Sequence, residues 1–560
     1  NDAPTNIALS ANTVAENSAG ATIGTLSAAD LDGDSLTYTL ASGGENNSFE
    51  ISGTTLKLKD STSANYEANN VYDLTINVSD GSSTVSKALS VNVSNVNEAN
   101  ASYWYLKTGA NASANLNPSN DTAIDYLMCG YFWGTAGSGI DLNYSFMESN
   151  STYSTYYSRY NSLEKSTAQD ASAAFKSAVA YSLAEYSNVS LLSFNQINGV
   201  NNQVGHIRLG NTSNNGASFA WYPYPNYSIA GDTWLNYRNN YFNNDLALMK
   251  GSYWHATILH EIGHTLGLAH PFEKSSYGGT TYGADFSTGT IHNALPYTLG
   301  SYFEYVGEPS ADGYSGTFSM PATLMIDDIK ALQYLYGVNE QHNSGDTSYT
   351  LDSIMGNTLS KHYLSKPYLY GTIWDGGGTD TFSWSDQNTI ANIDLTAGNF
   401  STFGNISGAS DSDLANLYFE SGDGLLGIAN DCVIENAKGG KASDTIKGNS
   451  ADNILYGGSG TGVKDTLTGN AGADTFVCTV SDASTDINVA DIVTDFTNGT
   501  DKIGLEDNSY SDLTISQVTS GSFSGDTKIV DTNSGKILLL LDDTDVSLLD
   551  SSDFISTDFI

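Results

Sequence analysis

The stretch HEIGHTLGLAH, from His260 to His270, decides how the middle of the chain folds. On a helix, His260 and His264 project from one face about a turn apart, so both can reach one metal ion. Gly267 can adopt a positive φ, which ends the helix and lets His270 return as a third ligand. Three protein ligands leave one coordination position open, which is typical of catalytic zinc. The stretch therefore predicts one catalytic Zn²⁺ bound by these three histidines.

Glu261 follows the first of these histidines and is offset from them around the helix. That offset suits a carboxylate that takes a proton from water rather than binding the metal. HExxH alone is a weak pattern, but the longer HExxHxxGxxH is complete and contains three of the chain's eight histidines. It favours a zinc peptidase over a helix with unrelated histidines. The apolar residues of the same helix are assigned to the core by their helical spacing: Ile258, Leu259, Ile262 and Leu266.

Composition limits the possible partners and the kind of protein. The chain has 560 residues, enough for three or four domains, and 62 acidic against 21 basic residues give a net charge of −41. This charge argues against nucleic acid and anionic membrane surfaces as partners. No apolar run is long enough for a transmembrane segment. Three widely separated cysteines, Cys129, Cys432 and Cys478, do not form a disulfide framework.

Residues 1–98 show alternating strand patterns between Asp, Gly, Asn and Ser clusters, which predict a β-sandwich. Asn1-Asp2-Ala3-Pro4 at the start is similar to Asn97-Glu98-Ala99 at the end, as expected for one repeat unit. The motifs AEN, DLDGD, NYE and VSDG resemble the calcium motifs of cadherin-like repeats. The resemblance implies calcium ligands at Glu16, Asp30, Asp32, Asp34, Glu67 and Asp80. Acidic clusters of this kind also occur as solvated turns, and both interpretations stay open.

Residues 99–340 mix helical and strand patterns, which predicts an α+β domain with an open sheet. One amphipathic helix is expected between Ser166 and Tyr186, with Phe175, Val179 and Leu183 on its apolar face. A second helix is expected from Ile326 to Tyr336. Strands are expected at Val189–Phe194, His206–Leu209 and Ser218–Trp221.

Residues 341–560 contain short strands between Gly and Asp turns. The segments starting at Gly439, Gly448, Gly457 and Gly469 share a nine-residue period with one longer turn, typical of a calcium-binding parallel β-roll. Glycine permits the tight turns, the sixth position supplies oxygen ligands, and an apolar residue two places later enters the core. The period predicts structural calcium at Asp444, Asn453, Asp465 and Asp474.

Several motifs together resemble one family. GDTW at 231–234, HEIGHTLGLAHP, DDIKALQYLYG at 327–337 and IENAKGG at 434–440 are similar to serralysin-type metzincins, secreted bacterial zinc peptidases with a β-roll. The resemblance covers about residues 120 to 510. Together with the cadherin-like motifs, it implies a multidomain chain: a cadherin-like β-sandwich over 1–98, an α+β metzincin domain over 99–340, and a calcium-binding β-roll with a secretion signal over 341–560.

The resemblance also assigns roles to residues. Glu261 is the general base, and Tyr302 in YTLGSYF matches the tyrosine that binds the resting zinc and then contacts the oxyanion. Where the family has a methionine beneath the metal, this chain has Gly300, and Leu299 is the neighbour expected to fill the space. Several structural Ca²⁺ ions are implied, with one set of positions at Asn343, Gly345, Thr347, Asp375, Gly377 and Asp380 and another at Gly378, Val433 and Glu435.

These features predict a secreted, monomeric, zinc-dependent endopeptidase that is stabilised by calcium and hydrolyses extracellular proteins. An extended peptide substrate is expected to pair with an edge strand near Ser218–Trp221. The segment SSDFISTDFI resembles the signals of type I secretion substrates, which implies that secretion machinery as a partner. The alternative is a calcium-dependent adhesive or matrix-binding protein with a degenerate peptidase domain. Gly300 supports that alternative, and the complete set of zinc ligands opposes it.

Overall fold

The structure is a computed structural model, and its residues divide into two compact units, Asn1–Leu106 and Lys107–Ile560, which are described separately. It describes residues 1–15, 19–60, 62–64, 69–94, 112–114, 119, 121–149, 151, 153, 163–199, 204–213, 217–225, 227–236, 250–273, 275–277, 280–282, 292–303, 320–356, 369–404 and 424–560.

The first unit is built from two four-stranded sheets. Its strands are β1 (Thr5–Leu9), β2 (Thr13–Ala15), β3 (Thr22–Ala29), β4 (Thr37–Leu40), β5 (Phe49–Ser52), β6 (Thr55–Leu58), β7 (Val71–Ser79) and β8 (Thr84–Ser94), with a 3₁₀ turn at Gly44–Ser48. The sheet orders are β1-β3-β6-β5 and β2-β8-β7-β4. Alternate residues of β7 point inward, so Leu74, Ile76 and Val78 are buried in one apolar cluster with residues of the other sheet. This is the expected β-sandwich.

The second unit begins with a mixed helix and strand region. Its elements are β9 (Ala112–Ala114), α1 (Thr122–Leu127), β10 (Tyr131–Trp133), β11 (Ile140–Met147), α2 (Leu163–Ser166), β12 (Ala168–Gln169), α3 (Ala173–Val189), β13 (Leu192–Gln196), β14 (Ile207–Thr212), β15 (Phe219–Ala220), β16 (Asp232–Asn236), α4 (Tyr253–Thr265), β17 (Ser275–Tyr277), β18 (Thr280–Tyr282) and α5 (Ile326–Tyr336). Six strands form one sheet in the order β13-β11-β14-β16-β15, with β12 paired to β14. The strand β15 is antiparallel to β16 and lies at the edge.

Of the two helices expected from the sequence, one has the expected bounds and the other is displaced at both ends, to Ala173–Val189, so that Val189 ends this helix instead of opening a strand. The helix α5 has the expected bounds. The helix α3 begins at Ala173 rather than Ser166, because the Ser172 side chain accepts a hydrogen bond from the Phe175 amide at 3.1 Å and caps it there. Its side chains Phe175, Val179 and Leu183 are buried as expected.

The segment GDTW contributes a buried ion pair to the sheet. Arg208 on β14 and Asp232 on β16 face each other in register, and the Arg208 Nε donates to Asp232 Oδ1 at 2.6 Å. Nη2 of Arg208 forms a second bond to the other carboxylate oxygen. Because both side chains are almost fully buried, each depends on the other for compensation of its charge.

The remainder of the second unit is a two-sheet β structure. Its elements are β19 (Ser348–Thr350), α6 (Leu351–Met355), β20 (Leu369–Ile373), β21 (Thr381–Ser383), β22 (Ala391–Asp394), β23 (Phe400–Phe403), β24 (Gly424–Ile428), β25 (Asn436–Lys438), β26 (Thr445–Lys447), β27 (Ile454–Tyr456), β28 (Thr466–Thr468), β29 (Thr475–Cys478), β30 (Ile492–Val493), β31 (Lys502–Leu505), β32 (Leu513–Gln517), β33 (Thr527–Asp531), β34 (Ile537–Leu541) and β35 (Phe554–Ser556). Short 3₁₀ turns lie at Ile487–Val489, Tyr510–Asp512, Val546–Leu548 and Ser551–Asp553.

Successive nine-residue segments alternate between the two sheets, as in a parallel roll. One sheet has the order β19-β21-β25-β27-β29-β31-β35, and the other contains the parallel series β22-β26-β28-β30-β34. The apolar residue two places after each sixth position is buried, as predicted: Ile446, Leu455, Leu467 and Phe476. The period therefore specifies the core of the roll.

Two further expectations concern the described residues as a whole. All three cysteines are free, with Cys432 and Cys478 buried and Cys129 half-buried. Among the described helices, none combines the length and the apolar character that a membrane crossing requires.

Candidate zinc centre and calcium positions

The helix α4 presents two of the three predicted zinc ligands. Ser252 caps its first turn by accepting from the His255 amide at 3.1 Å. After the helix, Gly267 adopts φ 102°, and the Leu268 amide donates to the Gly263 carbonyl at 3.0 Å. A Cβ at Gly267 would lie 2.3 Å from the Tyr131 carbonyl oxygen, so only glycine fits this turn. The turn brings His270 back toward the helix, as the sequence predicts.

The Nε2 atoms of the three histidines form a small triangle. Its sides are 3.0 Å between His264 and His260, 3.1 Å between His260 and His270, and 3.2 Å between His264 and His270. Four ligands arranged tetrahedrally at 2.0–2.1 Å from zinc would be separated by about 3.3 Å. The triangle therefore fits three nitrogen ligands of a single Zn²⁺.

The hydrogen bonds on the other ring nitrogens fix the tautomers. Nδ1 of His260 lies 2.7 Å from the Leu299 carbonyl oxygen, and Nδ1 of His264 lies 2.8 Å from the Leu268 carbonyl oxygen. Since a carbonyl oxygen only accepts, both Nδ1 atoms carry the proton and both Nε2 atoms present lone pairs. Burial, together with the neighbouring histidines, lowers the pKa of His260 to about 4 and the pKa of His264 well below its usual value. Converging lone pairs of neutral imidazoles require a cation.

His270 differs from the other two ligands in its outer partner. Its Nδ1 lies 2.8 Å from Glu273 Oε1, and the Tyr222 hydroxyl donates to Glu273 Oε2 at 2.7 Å. Burial alone would raise the pKa of Glu273, but the hydrogen bonds from His270 and Tyr222 outweigh it and lower that pKa. Glu273 is therefore a carboxylate. Neither Glu273 nor Tyr222 was predicted, because no motif links them to the zinc pattern.

Glu261 lies buried on α4, between two of the predicted ligands in sequence. Its side chain has no hydrogen-bond partner at Oε2 among the described residues. Burial raises its pKa to about 8. A buried carboxyl group without a hydrogen-bond partner costs free energy. We therefore expect a group bound at the histidine triangle to form a hydrogen bond with Glu261.

Tyr302 lies against the same histidines. Its ring is 4.8 Å from the His270 ring and 6.1 Å from the His260 ring, measured between centroids. Phe272 contacts the Tyr302 ring at 4.9 Å and stacks on His270 at 4.9 Å. Burial raises the pKa of Tyr302 to about 12, so its hydroxyl remains a proton donor.

The turn that carries Gly300 passes beneath the histidines. Leu299, which is 4% exposed, and Gly300 line a small cavity of about 10 Å³ together with His260, His264 and Leu324. A Cβ at Gly300 would lie 3.0 Å from the Ala269 carbonyl oxygen, so the backbone itself occupies part of the space that a larger residue would need.

Asp328 holds this turn from the side of α5. It accepts hydrogen bonds from the Thr298 hydroxyl at 2.6 Å and from the Leu299 amide at 2.9 Å. The carbonyl of the same Leu299 accepts from His260, so Asp328 fixes the position of one outer partner of the centre. No sequence pattern predicts this role, because Asp328 lies in a different motif from the zinc ligands.

The predicted calcium residues around 343–380 are brought together. Thr347 donates its amide to Asp380 Oδ1 at 2.7 Å and its hydroxyl to the Gly345 carbonyl at 2.8 Å and, at 3.4 Å, to that of Asn343. Asp375 accepts from the Gly377 amide at 2.7 Å. The Oδ2 atom of Asp380 is buried without a partner in the described part of the chain.

The second set of predicted positions adjoins the first. Glu435 accepts from the Asp380 amide at 2.7 Å. The backbones of Gly378 and Gly345 touch, since a Cβ at Gly378 would lie 2.7 Å from the Gly345 carbonyl carbon. The apolar Val433 side chain has no ligand atom, so only its backbone carbonyl could make the predicted contact.

The sixth-position residues of the roll form two ladders. Along one, the Asp444 amide donates to Asp465 Oδ1 at 2.7 Å, and the Asp465 amide donates to Asp491 Oδ1 at 2.8 Å. Along the other, the Asn453 amide donates to Asp474 at 2.8 Å, and the Asp474 amide donates to Asp501 at 3.0 Å. Asp491 and Asp501 were not predicted, because they follow the last recognisable nine-residue segment.

The buried aspartates of the ladders have raised pKa values. Burial raises the pKa of Asp444 and of Asp474 to about 6. Burial and the charge of the neighbouring rung also raise the pKa of Asp465. Two columns of this kind are unfavourable as bare anions, which is the chemistry expected of positions for hard cations.

The predicted ligands of the first unit are partly described. Oxygen atoms of Asp30, Asp32 and Asp34 lie within 4.8 Å of one another. Asp30 and Asp80 each have a buried oxygen without a partner among the described residues. Glu16 and Glu67 lie outside the described residues. A comparable acidic group that the sequence did not suggest is formed by Asp526, Asp542 and Asp543.

Fold and site together define a multidomain metalloprotease-like chain with a cadherin-like N-terminal part and a mostly β C-terminal part. Family models match at three places: the serralysin C-terminal model of peptidase family M10 at 338–555, the cadherin domain at 11–94, and the pregnancy-associated plasma protein-A model at 187–295. The chain belongs to the serralysin family of metalloproteases.

Relatives of known name support this assignment. Metallopeptidase AprA of Pseudomonas marginalis is 31% identical over 57% of this chain and 62% of its own length. Serralysin G of Dickeya chrysanthemi is 33% identical over 45% and 48%. Metalloprotease AprA of Pseudomonas entomophila is 31% identical over 63% and 68%. The chain thus spans about half to two thirds of the length of the relatives it matches.

Proposed function

We propose that the chain is a secreted zinc-dependent endopeptidase that hydrolyses peptide bonds in extracellular proteins. The observation that carries the proposal is the triangle of Nε2 atoms, whose tautomers leave three lone pairs facing one point, with the unpartnered Glu261 carboxyl group alongside. Three histidine nitrogens and one neighbouring glutamate are the residues that metal-assisted hydrolysis requires.

The proposed mechanism divides roles among the residues. His260, His264 and His270 would hold the zinc, which supplies Lewis acidity to a water molecule and to the scissile carbonyl. Glu261 accepts a proton from the attacking water and delivers it to the leaving amine. The protonated hydroxyl of Tyr302 donates a hydrogen bond to the developing oxyanion.

Substrate would bind along the edge of the central sheet. Among the described strands, β15 pairs with β16 on one side and is the last in the sheet order, so its other side can pair with an extended peptide. Tyr222 follows this strand closely and packs its ring edge against His264, with centroids 5.3 Å apart. A peptide on β15 would therefore run toward the zinc centre.

Calcium is proposed to stabilise the roll and the first unit. The unpartnered oxygens of Asp380, Asp30 and Asp80 and the two acidic ladders support several bound Ca²⁺ ions. Domains are proposed at 1–98, 99–340 and 341–560. We further propose export through type I secretion machinery, folding of the roll where calcium is abundant, and a monomeric enzyme.

The alternative of an adhesive protein with a degenerate peptidase domain rests on Gly300 and on the cadherin match. It is not favoured, because all three histidines and Glu261 keep the arrangement that catalysis needs. The decisive difference between the two functions is turnover of a protein substrate.

The experiment is Glu261→Gln in the full chain. We expect casein hydrolysis to fall by about 10²–10⁴-fold, the range of general acid–base catalysis, while zinc content stays at one per chain. Glu340→Gln, at an exposed glutamate outside the centre, is the matched control and should keep full activity. Near-normal hydrolysis by the Glu261 variant, or a wild-type chain that is inactive with zinc bound, would overturn the proposal.

A further inference from the structure

The three predicted zinc ligands are not held equally. His260 and His264 belong to α4, and both are fixed on their outer side by backbone carbonyl groups. His270 lies beyond the helix, after the turn at Gly267. It therefore lacks the rigid helical backbone of the other two, and its orientation depends more on contacts of its side chain.

Those contacts come from side chains. Glu273 accepts from His270 Nδ1 at 2.8 Å with Oε1, and accepts from the Tyr222 hydroxyl at 2.7 Å with Oε2. The Phe272 ring stacks on the His270 imidazole, and the angle between the two ring planes is 8°. Both oxygens of one carboxylate are thus engaged, one by the ligand and one by a residue that follows the substrate edge strand.

We propose that Glu273 is a positioning residue that holds His270 on the metal, and that Tyr222 positions Glu273. The inference rests on the proposed zinc function. A carboxylate acceptor keeps the proton on Nδ1, orients the ring and strengthens Nε2 as a donor, and loss of such outer partners typically costs about 10–100-fold in metal affinity. The Tyr222 hydroxyl acts through Glu273, so the hydroxyl, the carboxylate and the His270 imidazole form one hydrogen-bonded chain.

The competing interpretation is an ordinary surface ion pair. Glu273 is 43% exposed, and exposed pairs usually contribute little. Against this, the Tyr222 side chain is largely shielded and approaches Glu273 from a position 51 residues earlier in the sequence, while packing on a second zinc ligand, His264. A flexible surface pair would not need this support. The two interpretations predict different zinc affinities.

The test uses full-length Glu273→Ala, Glu273→Gln, Tyr222→Phe and the double variant Tyr222→Phe/Glu273→Ala. Zinc affinity is measured by competition with a chromophoric chelator. We expect Glu273→Ala to weaken zinc binding by about 10–100-fold. Glu273→Gln should retain part of the affinity because its amide oxygen still accepts from His270. Tyr222→Phe should weaken binding less, and the double variant should be no weaker than Glu273→Ala, because the residues act in series.

Controls separate this inference from the proposed function and from misfolding. Glu340→Gln should bind zinc as the wild type does, and circular dichroism of the zinc-free variants should be unchanged. If wild-type chain binds no zinc, the proposed function fails. If wild type binds zinc but Glu273→Ala and Glu273→Gln bind it within about twofold of wild type, the positioning role is overturned. Additive effects of the two changes would overturn the serial arrangement.

Discussion

Leu299 connects the packing beneath the zinc centre to the geometry of its ligands. Its side chain is buried at the cavity next to Gly300, its carbonyl accepts from His260, and its amide donates to Asp328. Leu299 therefore both packs beside Gly300 and fixes the outer partner of one predicted ligand.

Leu299→Ala should therefore affect both stability and metal binding. Removing a buried leucine side chain costs about 2–5 kcal/mol of the free energy of unfolding. We expect a loss in this range for Leu299→Ala, because the substitution enlarges a cavity that already exists. Urea unfolding of the zinc-free chain measures the stability, and chelator competition measures the zinc affinity. Leu299→Met keeps the volume and should lose less than about 1.5 kcal/mol. A loss below 1 kcal/mol for the alanine variant would contradict the packing role.

At the scale of single residues, the sequence predicts the ligands but not their partners. The spacing of His260 and His264 is a property of one helix, so it can be recognised without a fold. Glu273 comes near Tyr222 only because β15 and the turn after α4 approach each other in space. Asp328 meets Leu299 for a similar reason. Such pairs depend on tertiary structure and leave no local pattern.

The turn at Gly267 is the element that completes the centre, and it is sensitive to substitution. Gly267→Ala would require both a disfavoured φ and a Cβ 2.3 Å from the Tyr131 carbonyl oxygen. Gly137→Ala is the matched control, because Gly137 has φ 72° but no atom within 4 Å of an added Cβ.

We expect the control to lose about 1–2 kcal/mol from backbone strain alone. Gly267→Ala should lose more and should also bind zinc more weakly, since His270 moves with the turn. Thermal unfolding and zinc content of the two variants test this. Equal losses in both variants, with zinc retained, would show that the close contact with Tyr131 is readily relieved.

Elements were predicted best where packing repeats along one helix or strand. The nine-residue period predicts the rungs of the roll, and the helix α5 has the bounds expected from the sequence. The start of α3 was placed too early, because the capping interaction of Ser172 was not recognised among several polar residues. The Phe175 amide can donate to the Ser172 side chain only after the first turn of α3 has formed.

Over the whole molecule, the acidic ladders make the calcium-free protein sensitive to pH. Burial raises the folded-state pKa of Asp444 and Asp474 to about 6 and raises that of Asp465 further with help from Asp491. A carboxyl group whose folded pKa is raised holds its proton more tightly in the folded state. Its contribution to stability is complete below the unfolded pKa and is lost as pH rises through the folded pKa.

The midpoint of thermal unfolding without calcium should therefore fall as pH rises from 4 to 8, and saturating calcium should remove most of this dependence. Asp444→Asn should flatten the calcium-free profile, since Asn453 shows that an amide fits the equivalent position, where it donates to the Glu435 carbonyl at 2.7 Å. A calcium-free midpoint that rises over this pH range would contradict the ladder interpretation.

The ladders also give the roll a direction. Each sixth-position amide donates to the side chain of the rung that follows it in the chain, from Asp444 to Asp465 to Asp491 and from Asn453 to Asp474 to Asp501. The sixth-position amide of each rung therefore has its side-chain acceptor only when the next rung is in place. Hydrogen bonds also run the other way, since the Ala473 amide donates to Asp452 Oδ1 at 2.7 Å and the Thr466 amide donates to the Asp444 carbonyl at 2.9 Å. Loss of either neighbour therefore leaves amides without an acceptor, so an inner rung depends on the rungs on both sides of it.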